Sequence, residues 1–411
     1  MRVYVPWLFG FWGYILDMGT VCVAILGIWW TYIRERKVGE IFVPRGIWVC
    51  LIVLIFWIWI RLPATRDPDT GLIKTLVFSI FDTATIILGL LYGRTHAGLR
   101  RMVRALILVG IIAVIGIFVF GKPEEGWEGG RITFGSANPL APADFASYMA
   151  IALTGLWLAK RTFKSAVVMF VAAIFVTGTI LMTGTRGPFL MLGLALLVMA
   201  YSYRRQINFR AVIAVVLFLG LTIFAFRYYL SVSSGGISSR FGLALIQKGI
   251  ADRVWMTKVS LSGWAGAPIL GTGPGDFGAQ MVGIKLERYP HNVILEVANE
   301  LGLIGLIPYL VLLYYGFRSI KLLSRPELDG GIFKMYAVII SGVFIYHFGS
   351  FKMGSYAGSN IFYLSWGATM GMASLGSREY MRLLEYHGED DNEAPDSAII
   401  GQDQEQEEKV F

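Results

Sequence analysis

Runs of about 20 apolar residues recur along nearly the whole chain, and each is long enough to cross a hydrocarbon core about 30 Å thick. About eleven such runs stand near 13–33, 46–62, 72–92, 104–121, 141–159, 165–183, 187–203, 209–229, 301–318, 334–351 and 356–375. They predict an all-α fold: a polytopic transmembrane helix bundle of about 11–12 spans with one large extracytoplasmic loop, near 230–290. A twelfth segment would come from residues 3–16, which are apolar but short for a span and are separated from the next run by Asp17. The 411 residues are 55% apolar and only 16% charged, against roughly 25% charged in soluble chains, which excludes a soluble enzyme. The two cysteines, Cys22 and Cys50, lie inside apolar runs, so neither a disulfide framework nor a Cys-rich metal site is expected.

Charge orients the bundle. Alternate connections carry 20 basic residues, among them Arg34, Arg100, Arg101, Lys160, Arg204 and Arg318, while the short connections between them carry 7, among them Arg61, Arg66 and Lys74. By the positive-inside rule the richer set is cytoplasmic, and the long connection at 230–290 falls outside. A lone Arg2 and no small-residue cleavage site argue against a removable signal peptide, so the first helix is expected to stay as an anchor. From Arg378 the chain holds eleven acidic residues against three basic ones. This divides it into a transmembrane domain over 1–376 and an acidic cytoplasmic tail over 377–411, expected to be disordered.

The chemistry gathers on the outer face. Arg186, in TGTRGPFL, stands at the outer ends of two consecutive spans, where basic residues are unexpected. Between Gly184 and Gly187-Pro188 it serves either as an anchor that snorkels to water or as a donor to an anionic group. The long outer connection adds Arg240, Lys248, Arg253, Lys258, Lys285 and Arg288, which suits an anionic substrate such as a pyrophosphate. Arg253 and Trp255 share a face on an extended segment and lie on different faces of a helix; the spacing does not choose.

Gly271, Gly273, Gly275 and Gly278 do not sit at a strand-to-helix turn, so a dinucleotide site is improbable and a backbone turn near a bound glycan or phosphate is expected. In YPHNVILEVANELGLIG, Pro290 suits a helix's first turn and places His291 at its amino end. There the helix dipole disfavours a cation, as a general base requires. Asn292, Glu296 and Glu300 follow as one polar stripe, with Glu300 free to pair with an outer arginine. Arg66-Asp67-Pro68-Asp69 has the look of an acidic metal motif, but Pro and the following Thr-Gly favour a simple turn, and no metal is assigned. His347, near the outer end of its span, is read as a satisfied interhelical histidine that could also join the site.

TGTRGP at 183–188, Arg253, LGTGPGDF at 270–277 and HNVILEVANELGLIG at 291–305, in this order on a helix bundle, resemble the O-antigen ligase and O-antigen polymerase superfamily. The motif-bearing part covers about 180–320. The resemblance implies a metal-independent membrane glycosyltransferase without cofactor, in a bacterial inner membrane. It would move an oligo- or polysaccharide from undecaprenyl pyrophosphate to a glycan or lipid hydroxyl on the extracytoplasmic face, with no role for nucleic acid. It further implies that Arg186 and Arg253 hold the pyrophosphate and that His291 activates the acceptor, with Glu300, Asn292, Arg288 and Arg240 in support. Ligases of the superfamily often carry a further histidine here, whereas this chain reads Tyr289-Pro290-His291-Asn292, which leaves ligase and polymerase both open. From other classes stand a secondary transporter or lipid-linked glycan flippase, which would want ionisable groups near mid-membrane and broken helices, and a structural scaffold.

Overall fold

The computed structural model describes residues 45–123, 132–133, 140–204, 243–281, 289–321, 331–349, 355–358 and 360–390. The expected spans at 13–33 and 209–229, the segment 3–16, and Arg240, Lys285 and Arg288 lie outside these residues.

The protein is all-α. Its helices are α1 (Arg45–Arg61), α2 (Pro68–Gly93, with a π-helical turn over Val77–Asp82), α3 (His96–Phe120) and α4 (Leu140–Lys160). They continue with α5 (Phe163–Met182), α6 (Arg186–Ser202), α7 (Leu243–Gly266), α8 (Asp276–Gln280), α9 (Val293–Lys321), α10 (Ile332–Gly349) and α11 (Asn360–Asp390). A two-residue antiparallel pair, Lys122–Pro123 with Ile132–Thr133, follows α3. Among the described residues six helical segments are long and apolar enough to cross a membrane: Arg45–Ala64, α2, α3, α5, α9 and α10. The protein is a multi-pass membrane protein.

Local chemistry sets several boundaries. The Asp67 carboxylate accepts from the Thr70 amide and caps α2 behind Pro68, so Arg66-Asp67-Pro68-Asp69 is the turn its sequence favoured. Thr95 and Thr162 cap α3 and α5 in the same way. On α1 the buried residues are Ile47, Leu51, Leu54 and Ile58, one narrow seam, while Phe56 and Ile60 on the other side are more than 60% exposed. Valines and phenylalanines of α5 are exposed likewise. In water such a surface would aggregate; in lipid it is the ordinary outside of a bundle.

Two cores share α10 and α11. One joins α3, α4 and α6 around Tyr148, Ile151, Met199 and Ile339. The other joins α1, α2 and α9 around Leu54, Phe78, Val297, Tyr309 and Trp366. Among the described residues the most extensive helix contact is α2 against α11, where Gly89 and Gly93 face Gly367 and Gly371. A Cβ on Gly367 would lie 2.1 Å from the Ile86 carbonyl oxygen, and one on Gly93 2.2 Å from that of Ala368. Without hydrophobic drive between helices in lipid, backbone approach across small residues supplies the packing.

Two expectations change. Part of the large connection is helix: α7 occupies 243–266 and α8 follows. The last helix runs on to Asp390, so the segment after 376 begins as helix, in keeping with the helix-forming residues of REYMRLLEY.

Candidate active site

The chain crosses back and forth, so Arg61, Pro68, Arg186, Val293 and Gly349 come to one end of the bundle, here the site end. Its centre is a break in α9. Gly302 has φ 62° and ψ −166°, a conformation essentially reserved for glycine, and divides α9 into two half-helices. Three carbonyls at the break accept hydrogen bonds from outside the helix. Thr272 N donates to Asn299 O at 2.9 Å, Gly273 N to Glu300 O at 2.9 Å and Trp57 Nε1 to Leu301 O at 2.7 Å. On the other side Leu303 N and Ile304 N donate to Pro268 O at 2.9 Å and Ile269 O at 3.3 Å. The 268–273 segment thus replaces the missing helical bonds.

The glycine loop is a backbone turn, as its sequence suggested, but the anion it holds is internal. Gly271, Gly273 and Gly275 all have positive φ, and Gly275 N donates to Glu300 Oε2 at 2.7 Å, with Phe277 N 3.4 Å from Oε1. A protein carboxylate occupies the nest expected for a bound phosphate. Glu300 pairs with Lys74 of α2, at 2.7 Å, and not with an outer arginine; Glu296, one turn earlier, meets the same Lys74 Nζ at 2.6 Å. Glu296 also accepts from Tyr356 N at 2.8 Å, and the Lys74 ammonium lies 5.3 Å from the centre of the Tyr356 ring. All three charged side chains are buried. Burying a charge costs several kcal/mol unless partners fill its remaining sites, and the loop amides do so here.

A second polar chain runs beside it. Arg66 grips Asp276 through Nε at 3.0 Å and Nη2 at 2.7 Å. Gln280 donates to Asp276, Thr272 and Asn299, and Asn299 returns a bond to Gln280 at 3.0 Å. Burial pushes the Asp276 carboxyl up, but the bonds from Arg66 and Gln280 outweigh it and hold the group below its ordinary range. Sequence reading missed Asp276, Gln280 and Asn299, and took Lys74 for a loop cation. The available signal for Lys74 was its place inside the apolar run LIKTLVFSI, where an unpaired ammonium has no reason to be.

Asn292 proves to be the N-cap of α9: its Oδ1 accepts from Ile294 N and Leu295 N, each at 3.2 Å. Pro290 and His291 therefore precede the helix instead of starting it, because the cap's side chain, not the proline, ends the turn. His291 has φ 52°, left-handed for a residue with a Cβ, and its ring stands edge-on to Tyr289 at 4.7 Å. Glu296 and Glu300 form the expected stripe without Asn292.

Arg253 lies on α7, which settles its relation to Trp255: the two point to different faces. Met256, three residues on, packs with Phe277 and Met281 and seats α7 on the glycine loop's short helix. Further along, Gly263 presses against Asn299 and Gln280. Arg186 is the first residue of α6, half-buried. Burial, and then the like charge of Arg253, lower its guanidinium from the ordinary value, so the fold brings the two cations within electrostatic reach. Among the described residues neither meets a carboxylate.

His347 stands apart from this group. It is buried between α10, α4 and α11, with Tyr148 4.9 Å and Phe362 6.5 Å away, centre to centre. Among the described residues neither ring nitrogen has a hydrogen-bond partner, so there it is interhelical but not satisfied as expected.

The site end thus combines a pair of neighbouring arginines, a strained histidine before a capped helix, and a helix break locked by a glycine loop, on a multi-pass membrane protein. Residues 171–310, which hold the two arginines, the histidine, the glycine loop and the helix break but not Trp57, Arg66, Lys74 or Tyr356, match the family model described as O-antigen ligase. The resemblance to the O-antigen ligase and polymerase superfamily is therefore supported by an independent comparison, and with it a glycan-transfer role in the membrane. No curated protein matches the chain.

Proposed function

We propose that this protein transfers an oligo- or polysaccharide from undecaprenyl pyrophosphate to a hydroxyl acceptor, at the extracytoplasmic face of a bacterial inner membrane. The observation that carries the reading is the Arg186–Arg253 pair. The two guanidiniums lie within electrostatic reach of one another and, among the described residues, neither meets a carboxylate, an arrangement that favours an anion between them. A pyrophosphate is such an anion, and its planar oxygen edges suit the arginine fork. The acceptor oxygen bonds to the anomeric carbon as the carbon–oxygen bond to pyrophosphate breaks. The electron pair leaves with the lipid pyrophosphate, steadied by the two arginines, and the hydroxyl proton passes to His291. Because this leaving group is already good, positioning and charge suffice and the reading needs no metal. Arg240, Arg288 and Lys285 stay candidates for the rest of the sugar-phosphate, and the 20-to-7 basic asymmetry supports the outward orientation.

A transporter would also favour a broken helix and membrane-buried charges. Here, however, Lys74 and Glu296 lie within two turns of their helices' site ends, and the break at Gly302 has its backbone groups taken. Both supports therefore read as fixed architecture.

The test is gel-resolved glycan length after the reconstituted protein meets an undecaprenyl-pyrophosphate-linked oligosaccharide with no other acceptor. A ladder that disappears in His291→Asn identifies a polymerase. An unchanged donor that is consumed only when a lipid acceptor is added identifies a ligase. Donor movement across the bilayer without any transfer would sink the proposal.

A further inference from the structure

We infer that Lys74 is a positioning residue for this site: it sets where His291 stands relative to the arginines without touching either. The inference rests on the transferase reading. Three segments converge on the Lys74 ammonium, none of them neighbours in sequence. The first half of α9 brings Glu296 and Glu300, at 2.6 and 2.7 Å. The glycine loop is joined through Gly275 N and Phe277 N on the far side of Glu300. The 355–358 turn is joined through Tyr356 N on Glu296 Oε2 at 2.8 Å. That turn is tied to α2 a second time, since Gly358 N donates to Asp82 Oδ2 at 2.8 Å. The same glycine loop leads into α8, which seats α7 through Phe277 and Met256, and α7 carries Arg253. His291 lies five residues before Glu296, across the Asn292 cap.

Charge makes the lysine more than a tether. With Lys74 in place, its ammonium offsets the two carboxylates, whose other oxygens meet the amides of Gly275 and Tyr356. Without it, two carboxylates one turn apart on the same half-helix repel at close range in a dry setting, and the half-helix can relieve that only by twisting, by releasing the glycine loop, or by taking up a proton. Either of the first two shifts His291, whereas a proton relieves the repulsion with the half-helix in place. A displacement of about 1 Å in such a constellation costs on the order of 100-fold in rate.

The experiment compares wild type, Lys74→Met and Lys74→Met/Glu296→Gln in the reconstituted transfer assay, with donor binding, pH profiles and hydrogen exchange measured on the same preparations. The expected result for Lys74→Met is a fall in kcat of about 100-fold with donor affinity within a few-fold of wild type, since Arg186 remains. Its activity relative to wild type at the same pH should recover as pH falls and a carboxylate is neutralised, and the double variant, one charge less negative, should recover much of kcat at neutral pH. The amides of Gly275, Phe277 and Tyr356 should exchange faster in the single variant. If Lys74→Met folds poorly, Glu300→Gln serves instead: it keeps the Lys74–Glu296 pair and should lower kcat less, while loosening the Gly275 amide. Wild-type kcat and wild-type pH profile in folded Lys74→Met would overturn the inference. So would activity loss that only tracks the folded fraction, with unchanged exchange at those amides. Should the wild-type protein transfer nothing, the transferase reading fails on its own, and the exchange data still decide whether Lys74 holds these segments together.

Discussion

Arg186 and Arg253 were legible as candidates because basic residues on an outward face need a reason, yet their nearness could not be read from positions 67 residues apart. Their roles predict unequal tolerance. Arg186→Lys keeps the charge but loses the fork, about 1.5–3 kcal/mol of charge-assisted bonding, and kcat/KM for the donor should fall about 10- to 100-fold. Undiminished turnover would return Arg186 to a membrane anchor. At His291 the left-handed backbone adds a control, because Asn accepts that conformation better than most residues. His291→Asn should abolish transfer while thermal stability in detergent changes by about 1 kcal/mol, the loss of the Tyr289 ring contact contributing to it. At Asp276 the sign is that of a carboxylate lowered on folding. Its contribution is whole above the unfolded value near 3.8 and is lost as pH falls through the lower folded value. With Arg66 largely in solvent that contribution is about 1 kcal/mol or less, and Asp276→Asn should flatten the acid limb of the unfolding curve by that amount.

Helices were the most legible elements, because hydropathy reports each apolar run on its own. Joints between elements were not, and α9 shows why: ELGLIGLIPYL is an unremarkable helical sequence until a second segment arrives to accept its broken bonds at Gly302. Lys74 was miscounted for the same reason, its two glutamates lying more than 220 residues away. The Gly89–Gly93 and Gly367–Gly371 spacings, by contrast, were present in the sequence as small residues four apart and went unread. Packing there leaves no room for a methyl group. Gly367→Ala should cost about 1–3 kcal/mol, seen as a lower melting temperature, with kcat unchanged in the protein that remains folded. A wild-type melting curve would show that α2 and α11 are not in contact as described.

The whole molecule carries about twice its net charge in the body, offset by the acidic tail, and its basic residues crowd one end. Orientation is therefore testable directly. In a cysteine-free background a membrane-impermeant maleimide should label Lys258→Cys, exposed on α7, in intact spheroplasts, and Arg101→Cys, exposed at the far end of α3, only after permeabilisation. The reverse pattern would place the site in the cytoplasm. The break at Gly302 has a consequence at this scale too. Because carbonyls and amides on both sides of it are bonded to the 268–273 segment and to Trp57, it is an elbow set at one angle, and the half-helix that begins after His291 and its Asn292 cap is joined firmly to the half beyond the break. Bilayers of different acyl-chain length tilt an embedded helix differently. If the proposed transfer takes place at His291, the thickness of the membrane becomes an input to it, felt at the histidine through a lever whose fulcrum is a single glycine.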